Sequence, residues 1–430
     1  MYYVEVARGP LANRTVIFLA LLATSCSGNL NPIRLRPVGQ DAALTPDGAL
    51  PQDSSIVQDS SVPSVCPDEL VGYATMSDLG GEWDGGSNGL PTLVVGGGVT
   101  GGGALDAGGG TLVVVNANDS DALAQFSKYA GDKTPGPLII LVEGMIAIPP
   151  PADGGSGDVQ KIRVSSSKTV VGANPSADFP SSGFTGGGLW LSGVSNVIIK
   201  NLTISRPNSD DAGGNVDAIH VETSQQIWID HCDLSSNGPG VDAGASYDGL
   251  IDISDGSDFV TVSWTNYHDH GDTGLVGRSD SSDAAAEDAN KNHVTYDHDL
   301  FSNVRTGPRT RFGTIHVLNS YFLDVANYGV AATDGATVRI EGTRFRNVSP
   351  AGQADVNFGP VTTILDSSTA AGDVDLENSV SDGTSGPNHL TTPAVMLMLP
   401  YKYMTDSTST VLEVVPACVG PGHVIVPSAN

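Results

Sequence analysis

The sequence predicts an all-β fold, a single-stranded parallel β-helix, from three observations. Glycine accounts for 53 of the 430 residues, and short apolar runs alternate with Gly, Ser, Asp and Asn without sustained helical periodicity. This composition is typical of strands joined by turns. Six runs share one pattern, apolar at the first and third positions with an apolar or aromatic end, and they begin at Val197, Ile227, Val260, Val294, Ile315 and Val338. Their variable spacing indicates a solenoid whose coils keep a core strand and vary their loops.

Long loops on one side of such a solenoid are expected to form a cleft, and the chain before the first run is expected to cap one end. A β-sandwich would also contain short strands, but its turns come at closer and more even spacing. One helix is predicted over residues 121–129, where apolar residues follow helical spacing.

The N-terminal part of the chain predicts export. Arg8 and Arg14 precede an apolar run over residues 16–22, which is too short to span a bilayer as a helix. We interpret residues 1–26 as a signal peptide, either of the ordinary type or of the bacterial lipoprotein type with Cys26 as the lipidated residue. Residues 27–65 are rich in Pro, Asp and Ser and predict a disordered tether. Residues 66–430 are the predicted β-helix domain, placed outside the cytoplasm, either secreted or anchored to the outer surface by the lipid.

The other three cysteines have different contexts. Cys66 and Cys418 lie near the two ends of the predicted domain, and Cys232 lies inside a strand-like run. An oxidising compartment permits a disulfide between Cys66 and Cys418, while Cys232 is expected to be a small buried residue.

The charge balance restricts the partners. A formal net charge of −28 excludes nucleic acid as an expected partner, because phosphate contacts need a basic face. A polyanionic substrate would need local positive charge, which a bound divalent cation can supply. Asp217, Asp248 and Asp252 precede consecutive runs at similar places, so that a solenoid would bring them together. Either they bind calcium or magnesium, whose preferred ligands are oxygen atoms, or they are solvated acids in turns.

Several motifs, in order along the chain, resemble those of polysaccharide lyase family 1, the pectate and pectin lyases. They are Gly72-Tyr-Ala, Lys168-Thr-Val-Val-Gly, Trp228-Ile-Asp-His, Asp248-Gly-Leu-Ile-Asp-Ile and Pro308-Arg-Thr-Arg-Phe-Gly-Thr-Ile-His-Val. The resemblance implies a right-handed parallel β-helix and a Ca²⁺ cofactor, and we expect the protein to be a monomer. It also implies cleavage of polygalacturonate (homogalacturonan) by β-elimination to 4,5-unsaturated oligogalacturonides.

The resemblance also implies roles for individual residues. Asp217, Asp248 and Asp252 match the calcium carboxylates of the family, and Asn215 stands where a further Asp is common. Arg311 matches an arginine that binds the carboxylate of the substrate.

The proton-abstracting arginine of the family usually lies two residues before the proline, where this chain has Thr306. We assign the catalytic role to Arg305, one residue further back. Arg309 is the alternative for this role, and if Arg305 is catalytic we expect Arg309 to bind substrate. Asp272 replaces the usual substrate-binding lysine, and Arg278 is the nearest cation able to stand in.

His231 and His316 match family histidines but lie within strand-like runs, so we expect them to be core residues that hold the backbone.

Three other functions remain open on the sequence. One is a lyase for methylated pectin that needs no calcium, which the retained carboxylates disfavour. A second is a β-helical glycoside hydrolase, which would need an acid and a base carboxylate across the sugar. The third is a non-catalytic surface protein that binds acidic glycan through calcium.

Overall fold

The structure is a computed structural model. It describes residues 66–77, 94–95, 99–102, 111–150, 160–207, 216–236, 248–350, 358–365, 368–391 and 395–427. The predicted signal peptide with Cys26, the predicted tether and Asn215 lie outside these residues.

The described strands form three parallel sheets and one small antiparallel pair, β1 (Met76–Ser77) with β2 (Val94–Val95). Sheet 1 contains β3 (Leu112–Asn116), β4 (Leu138–Glu143), β7 (Lys168–Gly172), β10 (Ser195–Lys200), β13 (Gln225–Asp230), β16 (Asp258–Ser263), β19 (His293–Asp297), β22 (Thr314–Leu318), β25 (Thr337–Glu341) and β28 (Asp373–Glu377). Sheet 2 contains β5 (Met145–Ala147), β8 (Gly183–Thr185), β11 (Thr203–Ser205), β14 (Asp233–Ser235), β17 (Asn266–Asp272), β20 (Leu300–Thr306), β23 (Tyr321–Tyr328), β26 (Arg344–Arg346) and β29 (Val380–Asp382). Sheet 3 contains β6 (Lys161–Arg163), β9 (Gly188–Ser192), β12 (Ile219–Glu222), β15 (Ile251–Ser254), β18 (Gly274–Val276), β21 (Arg309–Arg311), β24 (Val330–Thr333) and β27 (Val361–Thr362).

From β4 onward the chain visits sheets 1, 2 and 3 in turn, so each coil adds one strand to each sheet. This is the right-handed parallel β-helix that the sequence predicts, and the prediction is confirmed. Helices are few among the described residues: a 3₁₀ turn (Gly72–Thr75), α1 (Ala122–Ala130), α2 (Ser282–Asp288) and α3 (Thr408–Cys418). In the part of the chain that is described, no helix combines the length and apolar character needed to cross a bilayer.

The six sequence repeats are the strands β10, β13, β16, β19, β22 and β25 of sheet 1. Their first residues stack directly: Val197 pairs with Ile227, Ile227 with Val260, and so on to Val338. All six are fully buried. The repeated apolar position is therefore one continuous row of the core. Sheet 2 contributes a second row of stacked aromatic rings, with successive centroids 4.4, 4.5 and 4.9 Å apart: Tyr267, Phe301, Phe322 and Phe345.

A two-residue turn connects sheet 1 to sheet 2 in coil after coil. Its first residue has a left-handed backbone, as at Asn201 (φ 58°), His231 (φ 47°) and Asn319 (φ 49°). Asparagine tolerates this conformation because its side chain can bond to nearby backbone, and the Asn201 amide donates to the carbonyl of Gly172 at 2.7 Å. The uniform turn keeps successive coils in register.

Both ends of the described chain pack on the outside of the helix. The backbone N–H groups of Tyr73 and Ala74 donate to threonine hydroxyls on sheet 1, while α3 packs on β23 and β26 of sheet 2. A disulfide joins Cys66 to Cys418 at the end of α3, and Cys232 is a buried free cysteine.

The disulfide should contribute to stability without dividing the domain. The Cys66→Ala/Cys418→Ala variant should unfold with a free energy about 2–4 kcal/mol lower, because the bond closes a loop spanning 352 residues. Calorimetry should still show one transition, since one apolar core runs through the coils. Wild type in reductant should match the variant. Two separated transitions, or an unchanged midpoint, would contradict this expectation.

Candidate active site

The candidate site lies where the chain enters sheet 3. Residues 206–218 and 236–250 connect sheet 2 to sheet 3 ahead of β12 and β15. Asp217 and Asp248 lie just before these two strands, and Asp252 lies within β15. Parallel pairing of β12 with β15 therefore brings carboxylates of successive coils to the same end of the sheet.

Asp217 and Asp252 come together with a histidine. His220 pairs in register with Asp252 across β12 and β15, and its Nδ1 lies 2.6 Å from Oδ2 of Asp217. One ligand atom from each of the three side chains falls within 4.8 Å of the others, the spacing of a metal-binding group.

The oxygen atoms of this cluster fit a hard cation. Oδ1 of Asp217 is buried and has no hydrogen-bond partner among the described residues. Gly249 leaves the space beside it open: a Cβ there would lie 3.1 Å from that oxygen and 2.4 Å from Oδ1 of Asp252. A buried, unpaired carboxylate oxygen is costly unless a cation satisfies it. Asp217 and Asp252 therefore present oxygen atoms of the kind that calcium prefers, and Asp248 is near enough to raise the pKa of Asp252.

Burial and mutual repulsion raise the pKa values of two carboxylates in this cluster. Burial, followed by the charges of Asp217 and Asp248, raises the pKa of Asp252 well above its ordinary value. Burial and the charge of Asp217 raise the pKa of Asp248 to about 6. Burial opposes the charged form of His220, but the hydrogen bond and charge of Asp217, with the charge of Glu222, raise its pKa overall.

Asp248 is positioned by a second histidine. Nε2 of the buried His270 donates to the backbone carbonyl of Asp248 at 2.7 Å, while its Nδ1 accepts from the Ser236 hydroxyl at 2.7 Å. Burial lowers the pKa of His270, which favours the neutral ring that these two contacts require.

Arg305 and Thr306 both contact the carboxylate of Asp272. Nε and Nη2 of Arg305 donate to Asp272 at 3.1 and 2.5 Å, and the Thr306 hydroxyl donates to the same side chain at 2.9 Å. The pairing of β20 with β23 shifts by one residue between Val304 and Thr306. The extra residue of this β-bulge lies in β23, opposite Arg305.

Arg309 and Arg311 share one carboxylate. Nη2 of Arg309 lies 2.7 Å, and Nε of Arg311 2.6 Å, from Oδ1 of Asp280. Arg311 also donates to the carbonyl of Gly277 at 2.7 Å. Arg311 is close enough to Asp252 to lower its pKa, so these cations adjoin the acidic cluster.

Arg278 lies away from the cluster. Its ion pairs are with Asp255, directly after β15, and with Glu287 in α2. These contacts lie at the opposite end of β15 from Asp248.

His231 and His316 are buried side chains of the helix wall. His231 occupies a two-residue turn, with Nδ1 2.7 Å from Asp230. His316 lies between Tyr401 and Glu341, at 2.7 and 3.0 Å.

A second group with metal-ligand spacing, Asp68, Asp230 and His231, already has a cation. The ammonium group of Lys200 contacts Asp68 and lies 3.2 Å from Asp230. This group is therefore a buried ion-pair network.

Sequence reasoning missed His220, His270 and Asp280. His220 could have been found from its strand, because it lies on the outward row of β12 that faces Asp252 across one register step. His270 contacts the backbone of Asp248, and Asp280 contacts two arginines. These partners are distant in the sequence, so no local motif indicates the contacts.

The fold and this site together define a β-helical polysaccharide lyase. The family model described as pectate lyase matches residues 92–419. Pectate lyase plyB of Emericella nidulans is 36% identical over 332 residues, covering 75% of this chain and 86% of that protein. The chain therefore belongs to the pectate lyase family, which confirms the resemblance.

Other relatives agree. A probable pectate lyase B of Aspergillus terreus is 36% identical, over 70% of this chain and 81% of its own length. The crystal structure of pectate lyase Bsp165PelA from Bacillus sp. N165 in complex with trigalacturonate has a TM-score of 0.64 and 27% identity. It covers 83% of this chain and 100% of that one.

The charge of Asp248 should make stability depend on pH in the absence of metal. Its pKa in the folded protein is about 6, above the ordinary 3.8, so the folded state binds this proton more tightly than the unfolded chain does. The stabilisation that comes from this bound proton is fully present below about pH 4 and is lost as pH rises through about 6. In chelator, Asp248→Asn should therefore have the same melting temperature as the wild type at about pH 4 and a higher melting temperature at about pH 7. A difference in melting temperature that does not change with pH would contradict this account.

Proposed function

We propose that this protein is an extracellular, calcium-dependent pectate lyase that cleaves polygalacturonate by β-elimination. The observation that carries the proposal is the convergence of Asp217, Asp248 and Asp252, with a buried carboxylate oxygen unpaired among the described residues, beside a row of arginines. A polyanionic chain can bind next to such a cluster only if a cation reverses the local charge. Retention of the three carboxylates favours pectate over methylated pectin as substrate.

The substrate proposal draws on a relative that crystallised with trigalacturonate. Outward positions of sheet 3 align across neighbouring coils, from His220 through Asp252 and Leu275 to Arg309. Strands in such a row lie about 4.8 Å apart, which is comparable to the length of one sugar. An oligogalacturonate laid along the sheet would thus meet the acidic cluster and then the arginines.

Each group of residues has a distinct task in the proposed reaction. Calcium held by Asp217, Asp248 and Asp252 would bind a galacturonate carboxylate and acidify the neighbouring C5 proton. Arg311 and Arg309 orient substrate carboxylates, because guanidinium groups bind them through paired hydrogen bonds. Arg305 would take the C5 proton, and the electron pair left at C5 would form the C4–C5 double bond as the C4–O bond breaks. The departing glycosidic oxygen would take up a proton from water.

The exposure of the arginines favours Arg305 over Arg309 at the reacting carbon. The side chain of Arg305 is 33% exposed, compared with 10% for Arg309 and 6% for Arg311. Arg309 has further partners in Asp334 and Thr333. Arg305 therefore needs the smallest rearrangement to touch substrate.

Export is proposed from the sequence and is supported by the disulfide. Disulfides persist in oxidising compartments outside the cytoplasm, and Cys66 is joined to Cys418. We propose that residues 1–26 direct export and that residues 27–65 tether the domain, with Cys26 as the lipidated residue if the signal is of the lipoprotein type.

An absorbance assay tests the function directly. β-Elimination leaves a conjugated double bond, so polygalacturonate should yield an ultraviolet-absorbing product with calcium and none in chelator. Reducing ends released without absorbance would instead indicate hydrolysis, and no turnover at any calcium level would contradict the lyase.

Asp252→Ala should abolish activity at low calcium and regain part of it at high calcium. Removing one oxygen ligand weakens affinity before it destroys the geometry of a shared site. Activity should be measured over a calcium titration. Asp255→Ala is the matched control, because this acid follows the same strand but pairs with Arg278. Full activity of Asp252→Ala in chelator would contradict the site.

Arg305→Lys should lower kcat by about two to four orders of magnitude with little change in KM, because the group acts in the transition state. Arg311→Lys should mainly raise KM, because a paired contact to carboxylate is lost. Steady-state kinetics at saturating calcium separates the two. An active Arg305→Lys with an inactive Arg309→Lys would assign the role to Arg309.

A further inference from the structure

His220 makes a specific contact with one oxygen of a proposed metal ligand. A carboxylate can only accept, so the imidazole Nδ1 carries the proton and donates to Oδ2 of Asp217 at 2.6 Å. The other oxygen, Oδ1, has no partner among the described residues and lies on the side of Gly249 and Asp252. The hydrogen bond thus separates the two oxygens of Asp217 into one bound by protein and one available to a cation.

The imidazole ring is itself held by its neighbours. The rings of His220 and Trp190 have centroids 5.1 Å apart, and Nε2 of His220 lies 3.4 Å from Oε2 of Glu222. The indole Nε1 of Trp190 donates to Oε1 of the same glutamate at 3.0 Å. The Lys161 ammonium lies 3.8 Å from the centroid of the Trp190 ring. This closed set of contacts fixes the rotation of the imidazole and hence the direction of its donor.

We propose that His220 is a positioning residue for calcium, which fixes the Asp217 carboxylate so that Oδ1 alone is presented to the ion. The inference rests on the proposed calcium site and adds a determinant of its affinity. His220 is not itself proposed as a ligand, because calcium prefers oxygen and Nδ1 is engaged with Asp217. Partners that orient a metal ligand typically change metal affinity by about 10- to 100-fold when removed.

Two substitutions separate the donor from the ring. Asparagine places an amide N–H at about the distance of Nδ1 from the backbone, so His220→Asn keeps the donor and loses most of the ring. His220→Phe keeps the ring against Trp190 and loses the donor. If His220→Phe does not fold, His220→Ala gives the same loss of the donor.

His268 supplies a matched control on sheet 2. Its side chain is 26% exposed, compared with 24% for His220, and it also contacts two carboxylates, Asp233 at 3.0 Å and Asp269 at 2.9 Å. His268→Phe therefore removes an equivalent set of contacts away from the proposed calcium ligands.

Calorimetric titration of the full chain with calcium, without substrate, tests the proposal. We expect His220→Phe to bind calcium about 10- to 100-fold more weakly than wild type, while His220→Asn and His268→Phe stay within about threefold.

The outcomes separate this inference from the function on which it rests. Wild-type affinity in His220→Phe would overturn the positioning role while leaving the calcium site in place. Equal weakening in His220→Asn and His220→Phe would overturn the donor and assign the effect to ring packing. A wild type that binds no calcium would overturn both this inference and the proposed calcium dependence.

Discussion

The site depends first on the register between coils, which the two-residue turn from sheet 1 to sheet 2 maintains. Because each turn from β10 onward has the same length and a left-handed first residue, as at Asn201 and His231, a given position in one coil lies over the same position in the next. Length varies in the connections that enter sheet 3, between β7 and β8, and between β18 and β19, where α2 is inserted. Adding or removing one residue in the common turn would turn core side chains outward. The loops that enter sheet 3 can change length without this effect.

Charge is arranged within this frame by pairing opposite signs locally. A chain with a net charge of −28 has few cations to spare, and Arg305, Arg309 and Arg311 are all bonded to aspartates. The acidic cluster is the exception, since burial and mutual repulsion raise the pKa values of Asp248 and Asp252. The stabilisation missing there is what a divalent cation would provide, which supports the proposed binding of calcium.

The sequence predicted what repeats and failed on contacts that depend on the direction of individual side chains. The row from Val197 to Val338 was visible because each coil must bury the same apolar position. The clustering of Asp217 with Asp252 followed from that repeat. His220 escaped notice because its contact with Asp217, three residues earlier, depends on which face of β12 is outward. The bidentate contact between Arg305 and Asp272 was equally hidden, because it joins residues of two adjacent coils.

Asp272 lies directly against the arginine that we propose as catalytic. It accepts two hydrogen bonds from Arg305, so the positive charge of Arg305 is already matched in this arrangement. A substrate carboxylate approaching Arg305 must therefore compete with Asp272 for the same donors. The negative charge of Asp272 also repels a substrate carboxylate, so a metal ion at the proposed site would ease the approach of substrate by compensating its charge. In the proposed reaction, metal binding and the availability of Arg305 are therefore parts of one electrostatic exchange.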